Sequence, residues 1–452
     1  MTGTTVQLRP GPSSSAGAAH GRQRVVTLVR TLLLFESAMY SALAPVLPHY
    51  ARVLHAAKPA VGLLNASYPA GIVPGSLIAA WAASRLGVRR TTLLGLTVFA
   101  AAVAAFGLPG DIAVLDGLRF AQGIGCGFIW VAGLAWVIGF AERGRRGEML
   151  GTVFAAAIFG TLLGPILGTL AVSVGTAVVF ALVGAGAVGL AGWTWRHPEP
   201  PRGAEREHRP ALRALLGDRR IALGAWLILL EAATIGAIGT LLPLRLSRLG
   251  GSGILIGATF LVAALASARI SRPLGRMTDR AGPRAPLLMG LTATATLMVL
   301  LNLPSSPVLL ALVTVVVLGG PLAAYTIPSM TILTEATEAV GISLVIASMV
   351  MNLAWAFGEA LGAPAAATLA QAGGDVLPLL GLAALMVATL APVALERTRL
   401  RAAASTDRVG RTQALRARPP DATSPMEEAS GPATPARAAA GSAIETAAAN
   451  CR

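Results

Sequence analysis

Residues 221–246 read Ile-Ala-Leu-Gly-Ala-Trp-Leu-Ile-Leu-Leu-Glu-Ala-Ala-Thr-Ile-Gly-Ala-Ile-Gly-Thr-Leu-Leu-Pro-Leu-Arg-Leu, and between Arg220 and Arg245 the only charged residue is Glu231. A bilayer's hydrocarbon core, about 30 Å thick, takes roughly 20 apolar residues of helix. This run is long enough to cross it, which puts one carboxylate at membrane depth. Runs of the same kind recur at 27–48, 59–82, 91–109, 112–140, 149–172, 176–195, 221–246, 254–274, 285–303, 307–333, 342–370 and 376–395. The chain of 452 residues is 54% hydrophobic and only 13% charged, too apolar for soluble domains of that length. The expectation is an all-α membrane protein with twelve transmembrane helices.

The run around Glu231 has a partner. A shift of 195 residues brings Glu36 onto Glu231, Leu47 onto Leu242, Pro48 onto Pro243 and Gly62 onto Gly257. The same shift brings Arg85 onto Arg280, Gly87 onto Gly282, Arg89 onto Arg284 and Gly95 onto Gly290. Apolar composition aligns Leu with Leu by chance, but not one mid-span Glu with another. Later, Phe159-Gly160-x-x-Leu163-Gly164 resembles Phe357-Gly358-x-x-Leu361-Gly362 at a slightly longer offset. The sequence therefore reads as two pseudo-symmetric six-helix bundles, 25–195 and 221–397, joined by a cytoplasmic linker at 196–220. Duplicated halves place a binding site between them, near the bilayer midplane. Residues 1–24 and 398–452 lack periodicity and are rich in Ala, Pro, Ser, Thr and Arg, which predicts disordered cytoplasmic tails.

The net charge of +15 is informative through its placement. Arginines cluster in alternate loops: Ser84–Arg90, Glu142–Arg146, Arg196–Arg220, Arg272–Arg284 and beyond Arg397. The loops around Gly110, Val174, Ser305 and Gly373 have no Lys or Arg. This positive-inside pattern predicts a multi-pass plasma-membrane protein with both termini cytoplasmic, and explains the basic tail without a nucleic-acid partner. Arg52, Lys58, Arg245 and Arg248 are exceptions on the outer side. The excess of Arg over Lys fits a GC-rich bacterial genome.

The inventory excludes several chemistries. Lys58 is the chain's one lysine and follows no Gly-rich loop, so a phosphate cradle for ATP is ruled out. Cys126 and Cys451, with histidines confined to tails and loops, supply neither a metal cluster nor a Ser–His pair. No enzyme, no cofactor and no metal are expected.

Three motifs carry a resemblance. Residues 275–284, with Gly275, Asp279, Arg280, Gly282 and Arg284, fit the loop pattern GxxxDRxGxR. The first-half copy, with Arg85, Gly87 and Arg89, has Ala80 for the Gly and Ser84 for the acid. Arg119-Phe-Ala-Gln122-Gly123-Ile-Gly125 fits RxxQGxG, and the fifth span has Gly160-x-x-x-Gly164-Pro165-x-x-Gly168. In these features the chain resembles the major facilitator superfamily, specifically its twelve-helix drug:proton antiporters. The resemblance implies a monomeric secondary transporter of small molecules, driven by the proton gradient rather than ATP. It also implies that the loop motif latches one access state, which the missing carboxylate at Ser84 puts in doubt for the first half. The Gly164-Pro165 pair implies export, because uptake proteins of the superfamily generally lack it. The first span, Glu36 followed by Pro45-x-x-Pro48, resembles the antiporter branch that includes vesicular monoamine transporters, with Glu in place of Asp. Asn352 stands where those transporters carry a second acid.

A carboxylate in hydrocarbon favours its neutral form and a nearby cation restores the charged one; that opposition lets a proton and a cationic substrate displace each other. Glu36 is the first candidate for this exchange, with Glu231 and Glu359 next and Arg119 as a tuning charge. An Arg inside a span costs roughly 2.5–3.5 kcal/mol by insertion scales, so Arg119 should face the cavity, unless it pairs with Asp116 three residues earlier. Tyr40, Asn65, Tyr68, Gln122, Trp130, Trp226, Tyr325, Asn352 and Trp355 are the candidates to line an amphipathic pocket, packing being the alternative for each aromatic. The reading is proton-coupled export of small amphipathic, cationic compounds. The alternatives are proton-coupled uptake of a metabolite on the same fold and a non-transporting receptor or assembly factor.

Overall fold

A computed structural model describes residues 12–108, 110–140, 146–199, 217–342, 344–391 and 393. The described residues form helices with no strand: α1 (Pro12–Ser41), α2 (Leu43–Val53), α3 (Lys58–Leu86), α4 (Val88–Phe106), α5 (Ile112–Phe140), α6 (Arg146–Val174) and α7 (Thr176–Trp195). The second half supplies α8 (Arg219–Arg248), α9 (Gly253–Ala281), α10 (Arg284–Leu300), α11 (Pro307–Gly319), α12 (Pro321–Ala339), α13 (Leu344–Gly373) and α14 (Val376–Ala391). The linker core at 200–216 and the tail at 398–452 lie outside the described residues.

Proline sets two of the breaks. Pro45 lacks the N–H that would continue the ladder from α1, and Pro321 does the same at the start of α12. α1 with α2, and α11 with α12, nonetheless run on as single apolar stretches, Gly21–Val53 and Pro307–Ala339. Among the described residues nine such stretches are long and apolar enough to cross a membrane, and two shorter apolar helices, Arg284–Leu300 and Val376–Ala391, stand beside them. Of the stretch read as a tail, residues 1–11 lie outside the described residues and 12–24 are described. From Pro12 onward it is helix, because Pro fits the first helical turn and the Ala residues after it favour helix.

Helix ends follow from local chemistry. The Asp218 side chain accepts from the backbone N–H of Arg220 and Ile221 at the start of α8, and Ser252 and Ser306 do the same for Leu255 and Leu309 on α9 and α11. Gly87 ends α3 at φ 87° and ψ 162°, and its shift partner Gly282 ends α9 at φ 78° and ψ 164°. Only glycine adopts that conformation without strain. The 195-residue register is thus visible in the backbone.

Burial is inverted relative to a soluble protein. Leu182, Leu312, Leu361 and Ile254 are exposed, whereas Glu36, Arg119, Gln122, Glu231 and Glu359 are buried. An apolar exterior around a polar interior fits lipid as the surrounding solvent. The largest buried apolar cluster draws on residues 25–187 and the next on residues 227–393, so each half has its own core. Close helix approaches build those cores. A Cβ on Gly160, Gly164 or Gly168 of α6 would lie 2.2, 1.9 and 2.1 Å from Leu34 O, Ser41 Oγ and Ala42 O of the first span. In the second half Gly358 and Gly362 of α13 abut Leu229 and Ala233 of α8 in the same way. The helices of the Glu36–Glu231 pair, α1 and α8, are therefore each seated on a glycine stripe.

Candidate functional site

Glu36 on α1 is 3% exposed, and both its oxygens are occupied. Oε1 accepts from the Tyr68 hydroxyl on α3. Oε2 accepts from Trp130 Nε1 on α5 at 2.8 Å and from Ser37 Oγ at 3.3 Å. Helical spacing on α5 puts Arg119, Gln122, Cys126 and Trp130 along one face, and all but the half-buried Trp130 are buried.

Arg119, 1% exposed, makes no ion pair among the described residues. Its NH1 donates to Gln122 Oε1 at 2.9 Å and its NH2 to the Tyr40 carbonyl at 3.5 Å, while Nε has no partner. The guanidinium stands 4.5 Å from the Tyr68 ring centroid and 5.8 Å from that of Phe106. Ring faces and neutral acceptors thus compensate the buried charge, a desolvated cation–π contact being worth about 2 kcal/mol. Asp116 does not supply the counter-ion; its Oδ1 is itself without a partner. The Tyr68 ring therefore carries Arg119 on its face and Glu36 at its hydroxyl.

Glu359 on α13 is 2% exposed. Its Oε1 accepts from Tyr40 Oη across the halves at 2.5 Å, and its Oε2 has no partner. The Tyr40 ring lies 5.4 Å from Tyr68 and 5.5 Å from Trp355. Glu36, Tyr40, Tyr68, Gln122, Trp130, Arg119, Trp355 and Glu359 thus form one continuous cluster at the junction of the halves. Asn65 joins the halves nearby, donating from Nδ2 to Thr240 Oγ1 at 3.0 Å and to the Gly236 carbonyl at 3.3 Å. Asn352 is half-buried on the turns of α13 leading to Trp355.

The other expected residues are placed elsewhere. Glu231, 4% exposed, accepts from the Thr326 hydroxyl on α12 at Oε1, and its Oε2 is bare. Tyr325, the shift partner of Trp130, donates instead to the Leu227 carbonyl and is packed in the second-half core. Trp226 is 40% exposed and donates to Thr389 Oγ1 at 3.1 Å, which holds it against α14. Among the described residues no three His, Cys, Asp or Glu side chains converge on a common point.

At the α3–α4 turn the missing acid has a substitute. Ser84 bonds locally to the Trp81 carbonyl, and Arg85 lies over the Trp81 ring at 5.3 Å. Glu199, just after α7, accepts from the Arg89 backbone N–H at 3.4 Å, and Arg89 NH1 donates to the His197 carbonyl at 3.3 Å. A carboxylate from a distant helix end thus reaches the turn that Ser84 leaves neutral. Sequence reading missed Glu199, Thr326 and Thr240; Thr326 adjoins the position that the 195-residue shift would have indicated. In the second copy Gly275 lies within α9, Arg280 is exposed and Arg284 opens α10, while the Asp279 side chain lies outside the described residues.

The bonds from Tyr40 to Glu359, from Asn65 to Thr240 and Gly236, and from Lys58 to Asp375 and Ala370 link the halves from the Tyr40 level toward one end of the bundle. At that end Lys58 Nζ donates to Asp375 Oδ1 at 2.7 Å and to the Ala370 carbonyl at 3.1 Å, and Arg248 pairs with the other Asp375 oxygen. Gly62 of α3 approaches Ala363, Pro364 and Ala367 of α13 closely enough to exclude a Cβ.

Comparison with known proteins agrees with this geometry. Residues 31–359 match the family described as the Major Facilitator Superfamily. YcaD of Escherichia coli O45:K1, an uncharacterized transporter of that type, is 28% identical over 261 residues, 57% of this chain and 68% of its own. The fold is similar to that of a bacterial homologue of the human lysosomal transporter Spinster in an inward-facing, unoccupied conformation, with a TM-score of 0.70 and 15% identity over 84% of this chain and 98% of the other. It is also similar to the nucleoside transporter NupG, with a TM-score of 0.65 and 12% identity over 82% and 98% of the two chains. A D-xylose–proton symporter aligns with a TM-score of 0.63 and 16% identity over 81% and 95%. The polar cluster between duplicated halves, the loop motifs and these matches lead to one assignment: the chain belongs to the major facilitator superfamily and is a multi-pass membrane transport protein, not an enzyme.

Proposed function

We propose that this transporter exports small amphipathic cations in exchange for protons. The observation that carries the reading is the pair of bare oxygens on buried carboxylates, Glu359 Oε2 and Glu231 Oε2. Each is a place where a proton or a substrate ammonium binds without displacing a donor. Both Glu36 oxygens already accept protein donors, so in this reading Glu36 anchors the cluster while the bare oxygens take the exchanged cation. Tyr40, which donates to Glu359, packs against the rings of Tyr68 and Trp355, and ring faces attract organic cations.

With both termini cytoplasmic, the Asp375 end is outside, and the contacts there correspond to an inward-facing, externally closed state. A cation enters from the cytoplasm to Glu359 or Glu231; after the halves rock, a proton from outside takes its oxygen and releases it. One proton for one monovalent cation moves no net charge, so only the pH term drives exchange, about 1.4 kcal/mol per pH unit. Two protons per cation would add the membrane potential, roughly 2.3 kcal/mol per 100 mV.

Inside-out vesicles loaded by an imposed pH gradient provide the test. Gradient-driven accumulation of a cationic dye, lost in Glu359→Gln, is the expected result. Accumulation that survives in both Glu359→Gln and Glu231→Gln overturns the coupling assignment. Uptake of a neutral metabolite running with the proton instead of against it would support import, the activity of the sugar symporter type.

A further inference from the structure

At the Asp375 end a cavity of about 290 Å³ lies where α2 and α3 of the first half meet α8 of the second. Its floor is apolar, formed by Pro48, Ala51, Ala56, Val61 and Leu244, and Arg52, Lys58 and Arg248 stand on its wall. One carboxylate answers these three cations: Asp375 gives one oxygen to Lys58 and the other to Arg248. Arg52 bonds through Nε to the Pro48 carbonyl at 3.2 Å. The local balance is therefore two positive charges in excess, beside hydrocarbon and against the charge pattern of the rest of this face. Arg245, the fourth cation of the region, has a structural explanation. It donates to the carbonyls of Leu301, Asn302 and Pro304 and ties α8 to the end of α10. Lys58 and Arg248 share the single carboxylate of Asp375, and Arg52 has, among the described residues, the Pro48 carbonyl.

We propose that this cavity binds an amphiphilic anion of the phosphate class. Its charged group lies among Arg52, Lys58 and Arg248, and its apolar part lies on the Pro48–Leu244 floor. Arginine and lysine donors form charge-assisted bonds to phosphate oxygens, and the floor supplies the contact area that a bare ion does not use. The site draws on both halves, so an occupied cavity ties them together at this end, in parallel with Asp375. A lipid headgroup and a soluble phosphate ester share this chemistry. The proposal does not depend on the direction or substrate of transport.

The experiment uses the full chain in phosphatidylcholine nanodiscs. Short-chain phosphatidylglycerol is titrated in one arm and inorganic phosphate in the other, with thermal unfolding and native mass spectrometry as readouts. Saturable binding is expected, weakened about tenfold by Arg52→Gln or Arg248→Gln, the cost of one charge-assisted contact. Asp375→Asn is expected to tighten binding, because it removes the built-in competitor; a merely structural role for Asp375 predicts the opposite sign. Binding in the lipid arm alone identifies a headgroup that needs its tails, and binding in both arms identifies the phosphate itself. No saturable binding in wild type and Asp375→Asn, or binding indifferent to Arg52 and Arg248, overturns the proposal.

Discussion

Glu36 and Glu231 occupy equivalent places in the two halves, yet their surroundings differ. Glu36 accepts from Tyr68, Trp130 and Ser37, and no oxygen is left over. Glu231 accepts from Thr326 alone and keeps a bare oxygen. Duplication preserved the carboxylate and the helix packing behind it, while the donors diverged. A site that holds still and a site that can take a proton thus descend from one position, and the distinction lies in neighbours rather than in the acid.

The scaffold is the part that should not distinguish the halves. Leu at Gly164 or at Gly362 drives a side chain into α1 or α8, where even a Cβ would lie 1.9 Å from Ser41 Oγ or 2.4 Å from Ala233 Cα. Overpacking of this kind costs about 3 kcal/mol or more. Both variants should lose folded protein in detergent, measured by size-exclusion yield. Loss in only one half would show that the glycine stripes are not equivalent.

The glutamates should then separate. In Glu36→Gln the new amide NH₂ must face either Trp130, which can only donate, or Tyr68, whose hydroxyl has to turn. Three bonds also lose charge assistance, so destabilisation of about 1–3 kcal/mol is expected together with lost transport. In Glu231→Gln the amide nitrogen takes the place of Oε2, which no donor faces, and Thr326 keeps its acceptor. Its thermal midpoint should stay close to wild type while proton-coupled flux falls. Equal thermal shifts in the two variants would remove the distinction. A smaller effect follows for Tyr68→Phe, which deletes the bond to Glu36 Oε1 but leaves the ring under Arg119. It should cost about 1–2 kcal/mol, more than Thr326→Val costs beside Glu231.

The legible part of this molecule was its register. Rare residues at fixed spacing, Glu36 with Glu231 and Gly87 with Gly282, identified the duplication, and the backbone repeats it to within a few degrees in ψ. Partners were less legible, because a hydroxyl donor can be any Ser, Thr or Tyr on a facing turn. Thr326 was invisible beside the more conspicuous Tyr325, and Glu199 replaces the acid absent at Ser84 from a helix more than a hundred residues away. Arg119 shows the same limit: the cost of a charge in hydrocarbon indicates that it faces inward, but not that the Tyr68 ring face receives it.

Two tryptophans sharpen the comparison at its lowest energy. Both read as pocket candidates, yet Trp130 donates to Glu36 and Trp226 to Thr389 on α14. A neutral hydrogen bond at a partly exposed site is worth about 1 kcal/mol or less, and Phe retains most of the ring's apolar area. Trp226→Phe should therefore leave stability, flux and substrate range near wild type. Trp130→Phe frees Glu36 Oε2 of its shorter bond and converts the first-half carboxylate toward the open arrangement of Glu231. Its expected signature is a shifted pH profile of transport with little loss of folded protein. If Trp226→Phe altered the range of dyes carried while Trp130→Phe did not, the substrate route would run along α14 and away from the Tyr40–Glu359 junction.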